Sequence, residues 1–163
     1  VRMDANGQLW LFHDETLEAS TDLNGAVETS TTAYLASGRY RTMKKERLTA
    51  FTPDLIKVLS KGSTFLDIKG SSVTNKDSLL VSLMSLNLDT SKYRIIVPNH
   101  AYFDVFKSDF PTFLALHDFS DLSSSFLENE PELRGICIRN EKITREQVNF
   151  LKSIHKKTFV YTI

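Results

Sequence analysis

Residues 93–117, YRIIVPNHAYFDVFKSDFPTFLALH, contain the clearest evidence for the fold. It begins with a mainly apolar run at residues 93–97, rich in β-branched side chains, and ends with a second apolar run at residues 113–116. Both runs have the length and composition of buried strands, and residues 102–110 between them favour a helix. Two strands joined by a crossing helix form the unit from which parallel sheets are built.

The same alternation of strands and helices continues on both sides of this unit. The further predicted elements are a helix at 53–59, a strand at 64–69, helices at 77–86 and 120–128, a strand at 134–138, a helix at 144–155 and a strand at 158–161. Thr144 and Gln147 have the spacing of a capping box that starts the last helix. The strands are apolar along their length, which is typical of a parallel sheet covered on both faces. The sequence therefore predicts an α/β fold, with residues 1–163 as a single domain.

The chain before residue 53 is less regular. Asn6-Gly7 is a strong hairpin signal because both residues tolerate the positive φ of a type I′ turn, so residues 1–3 and 9–12 are predicted to pair. The segment 18–53 is polar, with a second turn at Asn24-Gly25 and a short predicted helix at 32–37. So long a segment between regular elements is usually functional or flexible.

The composition limits the classes of partner. Lys+Arg and Asp+Glu both number 20, so no net charge attracts nucleic acid or an acidic membrane surface. No apolar run approaches the roughly 20 residues of a transmembrane helix. Cys137 is the single cysteine, which excludes an intrachain disulfide, and it is predicted to be buried. We expect a soluble protein. Its compartment stays open: it is cytoplasmic or, if a leader precedes Val1, periplasmic or secreted. Its oligomeric state also stays open.

The candidate site begins at LWLFHDETL, residues 9–17, where an apolar run ends in His13, Asp14 and Glu15. A polar cluster at a strand end is where α/β proteins place their chemistry, although a histidine there can also merely cap the strand. The carboxyl ends of parallel strands share one edge, so other polar residues at strand ends are expected nearby. The full set is His13, Asp67, Lys69, His100, His117, Asp118, Arg139 and Asn140.

Three stretches of the sequence resemble motifs of the glycerophosphodiester phosphodiesterases, a family with a TIM (β/α)8 barrel fold. Residues 13–17 with the hairpin before them resemble the family's motif around a catalytic histidine. Leu66-Asp67-Ile68-Lys69 resembles its metal-binding Glu-x-Lys motif, and residues 158–162 are similar to a late barrel strand. The resemblance implies metal-dependent hydrolysis of glycerophosphodiesters to glycerol 3-phosphate and an alcohol, a reaction of lipid metabolism.

The resemblance also implies roles for three residues. His13 is implied to be a catalytic general acid or base, Asp67 a metal ligand, and Lys69 a substrate-binding cation. The implied cofactor is Ca²⁺ or Mg²⁺, since a divalent cation held by carboxylates neutralises and orients a phosphodiester. The implied partner is a small-molecule substrate, not a nucleic acid.

Departures from the family pattern weaken the inference of catalysis. Asp67 replaces the usual glutamate, and Ala19 stands where the family has an arginine. A His-Arg pair on a first strand, a Glu-x-Asp pair before Val1 and an eighth strand have no counterpart. We therefore expect an incomplete TIM (β/α)8 barrel with about strands two to seven, cut from a longer parent and inactive by itself. The alternative is a degenerate, non-catalytic barrel that binds a ligand or serves as an interaction module.

Overall fold

The structure, a computed structural model, describes residues 1–59, 62–71 and 74–162. The chain divides into two compact units. The first comprises Val1–Gly62 and Ile68–Asp89, and the second comprises Ser63–Asp67 and Thr90–Ile163. None of the helices within the described ranges is long and apolar enough to cross a membrane.

Within its described residues, the first unit contains a three-stranded antiparallel sheet and three α-helices. Its elements are β1 (Arg2–Met3), β2 (Leu9–Leu11), α1 (Thr32–Ser37), β3 (Thr49–Ala50), α2 (Pro53–Leu59) and α3 (Lys76–Met84). The sheet order is β1-β2-β3. The predicted hairpin and the bounds of α1 and α2 are confirmed. Strand β3 was not predicted because it is two residues long and exists through its pairing with β2.

The hairpin turn is not the predicted type I′. The Gly7 N–H donates to the Asp4 carbonyl at 3.1 Å, and Gly7 has φ = +86°, whereas Asn6 is outside the positive-φ region. The reason is the Asp4 side chain, whose Oδ1 accepts the N–H groups of Asn6 and Gln8 at 2.9 Å each. An aspartate side chain that accepts the backbone N–H two residues ahead favours a turn whose central residues have negative φ. Only the glycine therefore adopts the left-handed conformation.

The polar segment 18–53 is ordered around an apolar cluster. The cluster consists of Trp10, Phe12, Leu17, Leu23, Val27, Leu35 and Leu48, all buried. The ring of Tyr40 stacks on Phe12 with centroids 6.2 Å apart. A few well-spaced apolar side chains thus fold a stretch that has little regular secondary structure.

The second unit is a five-stranded sheet with three helices. Its elements are β4 (Thr64–Asp67), β5 (Tyr93–Val97), α4 (His100–Phe106), β6 (Thr112–Leu116), α5 (Ser124–Asn129), β7 (Leu133–Arg139), α6 (Arg145–Ser153) and β8 (Lys157–Tyr161). The order is β4-β5-β6-β7-β8, and each neighbouring pair is parallel. The predicted parallel α/β sheet is confirmed.

The helix limits differ from the predictions where side chains cap the backbone. Asn99 accepts the Tyr102 N–H, so α4 begins at His100, two residues before the predicted start. The predicted helix 120–128 is split into a 3₁₀ turn, Phe119–Asp121, and α5. The predicted capping box at the start of α6 is present, with both reciprocal hydrogen bonds.

Three phenylalanine rings show that the parallel sheet is strongly curved. Phe65, Phe113 and Phe159 lie on β4, β6 and β8, and their centroids are separated by 5.6, 5.2 and 4.6 Å. In a flat sheet, β4 and β8 would be roughly 19 Å apart, at about 4.8 Å per strand. The 4.6 Å contact between Phe65 and Phe159 therefore requires the two edge strands to bend toward each other.

Gly135 on strand β7 lies close to the backbone of β8. The register between β6 and β7 shifts by one residue after Thr112, so Phe113 lies opposite Gly135. A Cβ atom on Gly135 would lie 2.0 Å from the Lys157 carbonyl oxygen of β8, which glycine avoids. Two residues further, Cys137 is partly exposed and not buried as predicted, because the β7 side chains after Ile136 alternate between the two faces.

Candidate functional site

His13 follows the end of β2 by two residues, as predicted, and its side chain is 79% exposed. Its Nδ1 lies 3.2 Å from Oδ1 of Asp14. Hydrogen bonds from Ser20 and then His13 hold the pKa of Asp14 below its usual value of 3.8, so this carboxyl is ionised at neutral pH. A carboxylate on one imidazole nitrogen fixes the ring and leaves the other nitrogen to exchange protons with a ligand.

A buried ion pair lies beneath this exposed histidine. Arg2 Nη1 donates to Glu28 Oε1 at 2.5 Å, and the two side chains are only 6% and 3% exposed. Arg2 Nη2 donates to the His13 carbonyl oxygen at 3.3 Å. Neither charged residue was predicted from the sequence to belong to the site. The available signal was an arginine flanked by apolar residues in a predicted strand. An arginine in that position is expected to be buried, and a buried arginine is rarely unpaired.

Asp4 is a second buried carboxylate in the same hairpin. Its Oδ1 accepts two backbone N–H groups, and its Oδ2 accepts Trp10 Nε1 at 2.9 Å and Thr32 Oγ1 at 2.7 Å. Each carboxylate oxygen accepts about two hydrogen bonds, so Asp4 is saturated. Its role is to hold the hairpin against α1, not to bind a ligand.

The other two predicted site residues lie in different units. Asp67 is the last residue of β4 in the second unit and is partly exposed. Lys69 belongs to the first unit, where its backbone N–H donates to the Val1 carbonyl at 2.9 Å. In the first unit, the backbone of Lys69 therefore adjoins the β1 strand that carries Arg2. The roles of His13, Asp67 and Lys69 stay predictions.

Other polar residues from the predicted set gather at the carboxyl edge of the parallel sheet. His100 and His117 line a cleft of about 180 Å³ together with Asn99 and Asp121. The His100 ring packs on Phe126 with centroids 4.3 Å apart.

Three further members of the predicted set lie at this edge and belong to 3₁₀ turns or local ion pairs. Asp118 caps the 3₁₀ turn, and hydrogen bonds from Ser120 lower the pKa of Asp118. Arg139 lies 3.9 Å from Glu141, and Asn140 begins the next 3₁₀ turn. The side chain of Asp118 is therefore engaged in capping, and that of Arg139 in a local ion pair.

The described residues do not form a metal centre by themselves. Within residues 1–59, 62–71 and 74–162, no group of three or more His, Cys, Asp or Glu side chains is close enough to hold an ion. Asp4 is saturated, and Asp118 is occupied by capping. Ca²⁺ and Mg²⁺ take about six oxygen ligands, some of which can be waters, and the described residues do not supply a cluster of carboxylates for them.

A larger cavity lies in the first unit, with a volume of about 450 Å³. Its lining is Met3, Asp4, Ala5, Gly7, Glu28, Thr74, Asn75 and Ser78. Glu28 Oε2 has no hydrogen-bond partner in the described part of the chain. The volume is within the range of small-molecule sites, and the lining is mainly polar.

Comparison with protein-family models gives no match, and neither does comparison with curated protein sequences. Solved structures do match. One is a phosphodiesterase from Oleispira antarctica in complex with the product sn-glycerol-3-phosphate, with a TM-score of 0.86 and 16% identity, covering 100% of this chain and 70% of that one.

Two glycerophosphodiester phosphodiesterases also match, each with a TM-score of 0.74. The enzyme from Agrobacterium tumefaciens is 14% identical, and the match covers 99% of this chain and 71% of that chain. The enzyme from Parabacteroides distasonis is 15% identical, with coverages of 99% and 70%. The resemblance seen in the sequence motifs thus extends to three-dimensional structure: the chain has the fold of these phosphodiesterases along essentially its whole length.

Proposed function

We propose that the protein is a phosphoric diester hydrolase that converts glycerophosphodiesters to glycerol 3-phosphate and an alcohol. In this proposal the curved parallel sheet is part of a TIM (β/α)8 barrel, with about strands two to seven in the chain. The observation that carries the proposal is the exposed His13–Asp14 pair at a strand exit, in a fold shared with a phosphodiesterase that binds sn-glycerol-3-phosphate.

His13 is the proposed proton-transfer group. An imidazole can protonate the leaving alkoxide or accept a proton from the attacking water, which contributes about 10² to 10⁴ in rate. Asp14 orients the ring through its contact with Nδ1. Lys69 is the proposed cation for the phosphate. Asp67 as a ligand of Ca²⁺ or Mg²⁺ remains a prediction, and we assign no step to the metal.

The assay measures glycerol 3-phosphate released from glycerophosphocholine, with added Ca²⁺ or Mg²⁺ and with a chelator, using the protein at its natural length. We expect His13→Ala to lower kcat by about 10² or more. The matched control is His155→Asn, since His155 is exposed beyond α6 with φ = +59°, a conformation that asparagine tolerates. Full activity of His13→Ala would refute the assignment.

The proposal includes the expectation that the 163-residue chain is inactive by itself. It is supported by the lack of a metal-binding cluster among the described residues. The same assay on this chain tests the point, and turnover by the isolated chain would contradict it.

A non-catalytic ligand-binding module is the second candidate. The polar 450 Å³ cavity and the lack of a metal-binding cluster in the described ranges favour it. This candidate predicts binding of sn-glycerol-3-phosphate in calorimetry without turnover of any diester at natural length. Turnover that depends on His13 would exclude it.

A further inference from the structure

We propose that Arg2 and Glu28 are positioning residues for His13. In the described part of the chain, His13 makes two hydrogen bonds: its ring contacts Asp14, and its carbonyl oxygen accepts Arg2 Nη2 at 3.3 Å. The residue lies beyond the last residue of β2. The Arg2 contact therefore ties the backbone of an otherwise exposed histidine to the interior of the first unit.

The guanidinium can carry this positioning because it is planar and rigid. Its Nη1 is fixed by Glu28 Oε1, so the direction in which Nη2 points is also fixed. Both partners are anchored. Arg2 lies on β1 opposite Trp10, and Glu28 lies in the 3₁₀ turn that begins at the fully buried Val27.

The charges of the pair support the same role. Arg2 and Glu28 are both buried, and Arg2 is the salt-bridge partner of Glu28. The positive charge of Arg2 also helps to keep the pKa of Asp14 low, although the hydrogen bonds from Ser20 and His13 do more. Arg2 thus acts on His13 through its carbonyl and through the carboxylate that contacts its ring.

This inference rests on the proposed function in one respect only, that His13 transfers a proton. Arg2 contacts the backbone of His13, and Glu28 contacts Arg2. Neither contact involves the reacting atoms, so the two residues are not catalytic residues themselves. The placement of His13 can be measured without any turnover.

The experiment is NMR of the 163-residue chain with labelled histidine, which gives four ring signals. Glu28→Gln removes the charge that anchors the guanidinium. Arg2→Lys keeps the charge but replaces the two-pronged donor with a single nitrogen. The control is Arg145→Lys, at the exposed start of α6.

We expect both test variants to move the ring and backbone signals of His13, while the signals of His100, His117 and His155 stay in place. The control should move none of them. Glu28→Asp, which keeps the charge with a shorter reach, should give an intermediate shift, and it provides a test if Glu28→Gln fails to fold.

The proposal is overturned if the His13 signals stay unchanged in the folded variants while the unfolding temperature falls, since the pair would then only stabilise the fold. At natural length, Glu28→Gln should lower kcat with KM unchanged, by about 10²-fold if His13 moves by about 1 Å. A protein with no phosphodiesterase activity would refute the proposed function, whereas the NMR result would still decide whether Arg2 and Glu28 position His13.

Discussion

Replacing Gly135 by alanine should strongly destabilise the parallel sheet. The added Cβ would lie 2.0 Å from the Lys157 oxygen and 2.7 Å from its carbonyl carbon, whereas real Cβ atoms essentially never approach within 3.0 Å. The obstructing atoms are backbone atoms of the paired strand β8, so no side-chain rotation relieves the clash. The strands must separate by about 1 Å, which places the cost near the upper end of overpacking penalties, about 3 kcal/mol.

The assay is thermal and urea unfolding followed by circular dichroism. For a chain of this size, about 3 kcal/mol corresponds to a fall in Tm of roughly 6–12 °C. Gly62→Ala is the matched control, because a Cβ at Gly62 meets no atom within 4 Å, and its stability should change by less than about 0.5 kcal/mol. A Gly135→Ala variant as stable as the Gly62→Ala variant would refute the close approach of β7 and β8.

Two further predictions concern the hairpin. Asp4→Ala leaves Trp10 Nε1 and three other donors without their acceptor, so we expect a loss of about 3–5 kcal/mol in urea unfolding and a shifted emission of Trp10, the single tryptophan. Asp14 has a lowered pKa in the folded state, so its stabilisation is present above pH 3.8 and is lost as the pH falls through the folded pKa. Wild type should therefore be more stable than Asp14→Asn near pH 6, and the difference should begin to shrink only as the pH falls below 3.8 and be lost below the folded pKa of Asp14; a constant difference down to pH 2 would contradict this.

The fold of the second unit was predictable because its strands are short, apolar and separated by helical segments. Residues 93–97, for example, form β5 with the predicted bounds. Helix limits were less predictable, since single side chains set them. The Asn99 amide moves the start of α4 to His100, a shift that hydrophobic periodicity does not encode.

The surroundings of the candidate site were less predictable than His13 itself. The Arg2–Glu28 pair joins residues that are far apart in sequence, and neither residue belongs to a recognisable motif. Asp4 also contacts Thr32 across a long intervening segment. Such contacts depend on how the polar segment 18–53 folds around its apolar cluster, and that packing leaves no periodic signal.

The phenylalanine contact between β4 and β8 also has a consequence for folding kinetics. Phe65 and Phe159 meet only when nearly the whole second unit has been closed into a loop, and contacts between residues so distant in sequence form slowly. During synthesis, the contact between Phe65 and Phe159 cannot form until β8 has left the ribosome. Until β8 has been made, Phe65 lacks this partner, so the nascent chain presents an aromatic edge strand that is not covered by β8.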